Sequence, residues 1–207
     1  NGQGAMASNW KMDVDSPVTI GGDGAVARIW LDSVASSATP LWTARPGVSE
    51  SAYRSCHTHS WMDWKALSGE SRVFHGNAMV GVLPMNMPAW GDSLVVQLGL
   101  DDQIRSTTKL MADESGTKKL TGKQIVEQVR TIQVHNSGDS EAIVNVIEQL
   151  PLGPGWEMEV DASHDGGWDP STGEVTWLSL KIPSDNEWQG TIHIRIVIPR
   201  GGSFVGL

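Results

Sequence analysis

The sequence predicts an all-β fold, an antiparallel β-sandwich with two β-rich halves, the second of them immunoglobulin-like. Apolar residues alternate with polar ones over many short segments, which is the pattern of strands that bury one face. The chain carries 23 glycines and 10 prolines along its whole length, as expected where turns separate short strands. In the second half the predicted strands recur every ~8–12 residues, the spacing typical of a sandwich.

Each predicted strand follows from this alternation. We predict strands at 18–20, 25–31, 73–74, 79–80, 94–100, 132–134, 142–146, 176–182 and 192–198. Glycine-containing turns at 21–24, 75–77, 136–139 and 169–173 separate several of them. The polar residues 112–123 are expected to form a loop or the tip of a long hairpin. The predicted buried faces are Ala25, Ala27, Ile29 and Leu31; Leu94, Val96, Leu98 and Leu100; Ile132 and Val134; Ala142, Val144 and Val146; Thr176, Leu178, Leu180 and Ile182; and Ile192, Ile194, Ile196 and Ile198.

Length, charge and cysteine content exclude several classes of protein. The 207 residues are 39% hydrophobic, which is enough for a packed core. A net charge of −9 without a basic cluster argues against nucleic acid as a partner. No apolar run is long enough to predict a membrane-spanning helix. Cys56 is the single cysteine, so an internal disulfide is excluded.

Three regions are predicted along the chain. They are an N-terminal extension at 1–15, a β-rich half at 16–102 and an immunoglobulin-like half at 103–207. The chain begins at Asn1 without an initiator methionine, which indicates a processed chain or a piece of a longer one. Residues 1–9 are small and polar with no hydrophobic face of their own. We therefore expect them to add a strand to the exposed sheet edge of a neighbouring copy.

Two clusters contain side chains that can bind a metal ion, although neither has the spacing of a known metal motif. His57 and His59 flank Thr58 beside Cys56, and two imidazoles on one strand face can begin a zinc or copper site. A closed site needs two further ligands, so a solvated pair is the favoured interpretation. Asp161, Asp165 and Asp169 surround His164 in a glycine-bearing loop, but their spacing does not match the EF-hand loop. The sequence thus predicts no metal and no cofactor, with His57 and His59 as the weaker alternative.

The sequence lacks two short motifs that are typical of catalytic and nucleotide-binding sites. No G-x-S-x-G nucleophile segment and no G-x-x-x-x-G-K-[ST] phosphate loop occurs. Asp101 and Asp102 are adjacent, and neighbouring side chains on a strand point to opposite faces. They therefore cannot flank one bond as a pair of glycosidase carboxylates does. We expect a protein that is not an enzyme and has no catalytic residues.

Tryptophan is unusually frequent, with 10 residues against 2 phenylalanines and 1 tyrosine. Tryptophan beside Asp, Asn or Gly in loops can form a protein interface, stack on a sugar ring or close the end of a core. Trp177 lies in the middle of a predicted strand and is assigned to the core. The candidate interface residues are Asn1, Trp10, Trp61, Trp64, Trp156, Trp168 and Trp188.

Two short segments give the chain a family resemblance. They are Gly99-Leu100-Asp101-Asp102 and Glu148-Gln149-Leu150-Pro151, with Val134-His135-Asn136 between them. In this order and spacing they resemble the C-terminal β region of the mucoidy-inhibitor A-like family, over residues 16–200. The family is a bacterial domain family of unknown function. The resemblance implies a role in the cell envelope or in exopolysaccharide biology, and it brings no catalytic residues.

These observations lead to a functional expectation. We expect a structural or adhesion-like module of the bacterial cell envelope, periplasmic or extracellular, that acts through protein–protein contacts. Its partners would be identical chains, assembled as an oligomer or a filament, together with other envelope proteins or polysaccharide. The alternative is a carbohydrate-binding module for exopolysaccharide, and a metal-dependent enzyme is the least favoured class.

Overall fold

A computed structural model of the chain describes residues 17–22, 24, 26, 29–31, 33–59, 68–89, 91–117 and 123–200, with the backbone alone at 112–117. The chain divides into two compact units, Asn1–Ser37 and Ala38–Leu207. Within the described ranges there are strands, turns and bends but no helix. The described residues therefore contain no helix that is long and apolar enough to cross a membrane.

Strands confirm the all-β prediction and lie in the second unit. They are β1 Thr39–Ala44, β2 Ser51–Thr58, β3 Gly69–His75, β4 Ala78–Met85, β5 Leu94–Thr117, β6 Gln124–Asn136, β7 Ala142–Gln149, β8 Glu157–Ala162, β9 Gly167–Asp169, β10 Glu174–Ile182 and β11 Asn186–Ile198. The long hairpin predicted around 112–123 is formed by β5 and β6. The boundary that the sequence placed between 102 and 103 falls inside β5.

Nine strands form one large sheet and two form a small one. The large sheet has the order β8-β11-β6-β5-β2-β1-β7-β10-β9, and β3 pairs with β4 in the small sheet. All neighbours in the large sheet are antiparallel except β1 and β7, which run parallel from Trp42↔Val144 to Ala44↔Val146. The wholly antiparallel sandwich of the sequence analysis is therefore corrected to a mixed sheet.

The large sheet folds over so that strands distant in its order face each other across the core. The ring of Trp177 on β10 packs edge-on against that of Trp188 on β11, with centroids 5.3 Å apart. Trp177 is buried, as predicted, and its indole N–H donates to the carbonyl of Ser163 at 2.7 Å. This arrangement of two packed layers is that of a β-sandwich.

The predicted face of β11 is confirmed. All four of its alternating isoleucines are buried, while His193 is exposed and Arg195 reaches solvent to form ion pairs with Glu127 and Glu159. The predicted faces of β6 and β7 are also buried. The core residues from these strands are Val126, Ile132, Val134, Ala142, Val144, Val146, Ile192, Ile194, Ile196 and Ile198.

Two predicted faces are wrong where a β-bulge interrupts the alternation. Leu100 is exposed because the β2–β5 register shifts at Gly99, whose φ is +84°. Leu178 is exposed because the β10–β7 register shifts after Trp177, with Ser179 at φ +56°. A bulge adds one residue to one strand, so it reverses the face of every following side chain.

The strands predicted at 18–20 and 25–31 are wrong for the described residues of those segments, which have no strand structure. Among these residues Val26 is 93% exposed and Trp30 is 77% exposed. A strand is stabilised by hydrogen bonds to a neighbour and by burial of one face. Alternation indicates only the capacity to form a strand, and this segment of the chain has the pattern without a described partner.

Candidate functional site

Asp101 connects three strands of the large sheet. It accepts hydrogen bonds from Trp42 Nε1 on β1 at 3.1 Å, from Arg54 Nη1 on β2 at 3.2 Å and from the backbone N–H of Gln103 at 3.0 Å. The Arg54 guanidinium also lies 5.0 Å from the centre of the Trp42 ring, a cation–π distance. Burial raises the pKa of Asp101, but the hydrogen bonds and the Arg54 charge outweigh it and hold the pKa below its ordinary value. Asp102 faces solvent, so the two carboxylates point apart as predicted.

Glu148, from the second motif segment, forms an ion pair between the two layers. Its Oε1 lies 3.6 Å from Nη1 of Arg130 on β6, and the two side chains are 2% and 9% exposed. Arg130 Nη2 also donates to Gln128 Oε1 at 3.3 Å. Glu148 Oε2 and Thr108 Oγ1 are buried with no hydrogen-bond partner of normal geometry in the described part of the chain. A buried acceptor and a buried hydroxyl without well-formed hydrogen bonds cost free energy.

Burial dominates the electrostatics of this pair. It raises the pKa of Glu148, and the opposing effects of the Arg130 charge, the Gly47 amide and the nearby Thr108 hydroxyl only partly offset it. Burial likewise lowers the pKa of Arg130, with the Glu148 charge acting in the opposite direction. Keeping either group charged in this buried position therefore costs free energy, and the opposite charge of its partner reduces that cost.

A cavity of about 560 Å³ lies beside this pair. Its apolar lining comes from Val48, Leu110 on β5 and Ile147 on β7, and its polar lining includes Glu148 and Arg45. Arg45 is held by Glu174 at 3.3 Å. The size and the mixture of an apolar wall with a few polar groups are those of sites that bind small molecules or inserted side chains.

Sequence reasoning missed this site, although β6 carries its signal. Val126, Gln128, Arg130, Ile132 and Val134 occupy alternate positions and all face inward. Two polar residues therefore interrupt an apolar face. Polar residues in phase with a core face need buried partners, so they could have indicated an ionic contact across the sandwich.

Cys56, His57 and His59 lie at the end of β2, and the described residues around them do not supply the other ligands that a closed metal site needs. His57 Nε2 is 3.1 Å from Ser55 Oγ, and His59 Nε2 is 3.1 Å from Ser93 Oγ. Over the described ranges, no group of three or more His, Cys, Asp or Glu side chains is placed to hold a metal ion. The absence of a metal stays a prediction for the whole chain.

The acidic loop around His164 is a set of turns. His164 and Asp165 have positive φ angles of 54° and 55°. Asp169 accepts hydrogen bonds from the Ser171 hydroxyl at 2.7 Å and from its backbone N–H at 2.8 Å. These bonds lower the pKa of Asp169. The side chain therefore stabilises its own turn, which is the role favoured for an aspartate at this position.

Of the candidate interface residues, three tryptophans are described, and all three pack against the core while remaining partly exposed. Trp156 and Trp168 line a pocket of about 230 Å³ with Leu152 and Pro170, and Trp188 packs on Trp177. Their predicted part in an interface is not tested by these contacts. Asn1, Trp10, Trp61 and Trp64 lie outside the described residues.

Glycines explain how these indole rings fit. A Cβ on Gly153 would collide with the Trp156 ring, and one on Gly190 would collide with Trp188. At these two positions, therefore, a glycine is required because a tryptophan ring lies beside it. At both positions the ring occupies the space that a side chain on the glycine would need.

The β3–β4 hairpin presents a large apolar surface. Phe74 is 56% exposed and pairs across the hairpin with Met79, which is half exposed. Val82 on β4 is also exposed, whereas Val73 is buried. The turn follows the prediction, with Gly76 at φ +59°. Contiguous apolar side chains of this size on a surface indicate contact with another molecule.

No protein-family model matches the chain, and no curated protein sequence matches it. The resemblance to the mucoidy-inhibitor A-like family therefore stays a prediction that rests on the two motif segments.

Proposed function

We propose that the chain is a non-enzymatic structural or adhesion-like module of the bacterial cell envelope, which assembles with copies of itself through protein–protein contacts. The observation that carries this proposal is the exposed apolar surface of the β3–β4 hairpin, formed by Phe74, Met79 and Val82. A two-stranded sheet is only marginally stable by itself, and covering this surface would stabilise it.

The envelope location and the immunoglobulin-like character of residues 103–207 belong to the same proposal. The first rests on the sequence resemblance. The second is supported by β6, β7, β10 and β11, which supply most of the core of a two-layered fold. Immunoglobulin-like sandwiches are common in surface and adhesion proteins, an analogy of fold alone.

Light scattering of the full chain, with negative-stain microscopy, tests the proposal. We expect particles heavier than the 22.3 kDa chain, and filaments at high concentration. The triple variant Phe74→Ser, Met79→Ser, Val82→Ser should lower the mean mass. Leu178→Ser is the matched control, since Leu178 is an exposed leucine elsewhere on the surface. A clean monomer at high concentration would refute self-assembly.

A carbohydrate-binding module is the second candidate, and the pocket between Trp156 and Trp168 favours it. Indole faces stack on sugar rings, and a pocket of about 230 Å³ accommodates part of one. The test is retention of the full chain on immobilised bacterial exopolysaccharide. Trp168→Ala should abolish retention and Leu178→Ser should not, whereas no retention of the wild type would exclude this candidate.

A further inference from the structure

One edge of β5 is unpaired over its second half. β2 pairs with β5 only as far as Ser51↔Arg105, while β6 pairs with the other edge as far as Thr117. Among the described residues, no strand continues along the β2 side of β5 beyond Ser106. Unpaired backbone groups of this kind are a template for an added strand.

The direction of the backbone groups identifies which residues would receive such a strand. The N–H of Ser106 points to the β2 side, because it donates to the carbonyl of Glu50 at 2.7 Å. Alternate residues of a strand direct their N–H and C=O groups to the same edge. Thr108 and Leu110 therefore present their backbone groups to the open edge, up to the register shift that follows Leu110.

The inner face of β5 next to this edge is also accessible, because a cavity lies beside it. Along the inner face of β5, Ile104 is fully buried, but Leu110 is 53% exposed and lines the 560 Å³ cavity. Glu148 and Thr108 also line this cavity, and Glu148 Oε2 and Thr108 Oγ1 form no hydrogen bond of normal geometry among the described residues. An added strand would therefore find backbone partners along the edge, apolar contacts at Leu110 and an acceptor at Glu148.

The first compact unit of the chain carries a segment with complementary chemistry. Residues 24–34 have the alternation of a strand, and Val26 and Trp30 are the two most exposed large apolar side chains among the described residues. In a strand these two residues lie on one face together with Arg28 and Asp32. This face supplies apolar groups for the cavity wall and N–H donors for Glu148.

We propose that the open edge of β5 is a strand-acceptor site that binds residues 24–34 of a second copy of the chain, with Val26 and Trp30 directed into the cavity beside Glu148. The inference rests on the proposed self-assembly and adds a second contact to the one at the β3–β4 hairpin. Because each copy has one donor segment and one acceptor edge, the contact is head-to-tail and extends into a filament.

The acceptor is tested with Leu110→Pro in the full-length chain that also carries Phe74→Ser, Met79→Ser and Val82→Ser, so that the hairpin contact does not hide the result. Proline removes the N–H that points to the open edge and leaves the hydrogen bonds to β6 in place, the position at which a strand tolerates proline. The matched control is Leu110→Val, which keeps the N–H and the strand propensity. In this background we expect Leu110→Pro to have the mass of one 22.3 kDa chain and Leu110→Val to assemble like the hairpin triple variant alone. Circular dichroism and the unfolding transition establish that both variants fold.

The donor is tested in the same hairpin triple variant with Val26→Asp plus Trp30→Asp, which brings carboxylates beside Glu148. Both residues are highly exposed, so folding should be unaffected. The matched control is Val18→Asp plus Ile20→Asp, which makes the same charge change outside the donor segment. The donor variant should be monomeric and the control should assemble.

Mixing the Leu110→Pro chain with the donor variant completes the test. The Leu110→Pro chain retains its donor segment, and the donor variant retains its acceptor edge. The mixture should therefore form dimers of twice the chain mass and nothing larger. Assembly of Leu110→Pro or of the donor variant to the extent of its control, or a mixture that stays monomeric, would overturn this inference. In each of those cases an assembling wild type leaves the proposed function standing, whereas a monomeric wild type removes both.

Discussion

Removing Glu148 should reveal the cost of the buried charge it leaves behind. In Glu148→Leu, the Arg130 guanidinium is 9% exposed and keeps Gln128 Oε1 as its described hydrogen-bond partner. Breaking a buried ion pair in this way costs about 3–5 kcal/mol. The adjoining 560 Å³ cavity admits water to the guanidinium, so we expect the lower end, about 3 kcal/mol. In urea this corresponds to a midpoint about 1–3 M lower.

The double variant Glu148→Leu, Arg130→Met separates charge from packing. It removes both charges, so its stability should return to within about 1 kcal/mol of the wild type. Glu127→Leu is the surface control, because it breaks an exposed pair with Arg195 and should change the midpoint little. A Glu148→Leu midpoint equal to that of Glu127→Leu would refute the reasoning, as would a double variant less stable than the single one.

Three further outcomes are expected. Ile194→Asp should unfold the sandwich, since burial of this side chain contributes ~1.5–3 kcal/mol, while Arg195→Ser should not; equal melting temperatures would contradict the strand register. Gly190→Ala should destabilise by ~1–3 kcal/mol and change tryptophan fluorescence, because its Cβ meets the Trp188 ring; an unchanged melt would exclude that contact. Asp101 has a lowered pKa in the folded state, so the stability it contributes is present above the ordinary value of 3.8 and is lost at lower pH. The stability difference between wild type and Asp101→Asn should therefore narrow on acidification in denaturant titrations, and a constant difference would contradict the assignment.

The sequence was sufficient for the fold class because the strongest strands alternate without interruption. In β11 and β7, one-sided burial follows directly from the period of two. The prediction failed at Leu100 and Leu178, since a bulge is set by the pairing of two strands and is not visible in either strand alone. For the described residues of 25–31 it failed for a related reason, because an edge must be available before alternating residues become a strand.

The candidate site could not be predicted from the sequence, for a different reason. Arg130 and Glu148 lie on strands that are consecutive along the chain but are not neighbours in the sheet. They meet only because the sheet folds over and brings β6 opposite β7. Period-two reasoning assigns a side chain to a face, but it cannot say which residue of the opposite layer it contacts.

The residues that carry the family resemblance have structural partners in this fold. Asp101 joins β1, β2 and β5. Asn136, fully buried at the end of β6, donates to the carbonyls of Ser140 at 2.8 Å and Ile182 at 2.9 Å. Glu148 joins the two layers. Buried polar contacts of this kind specify one arrangement of strands over others, because any other register leaves the same groups without partners. A family defined by these segments would therefore share a fold, and its function would lie on the surfaces and edges that the fold presents.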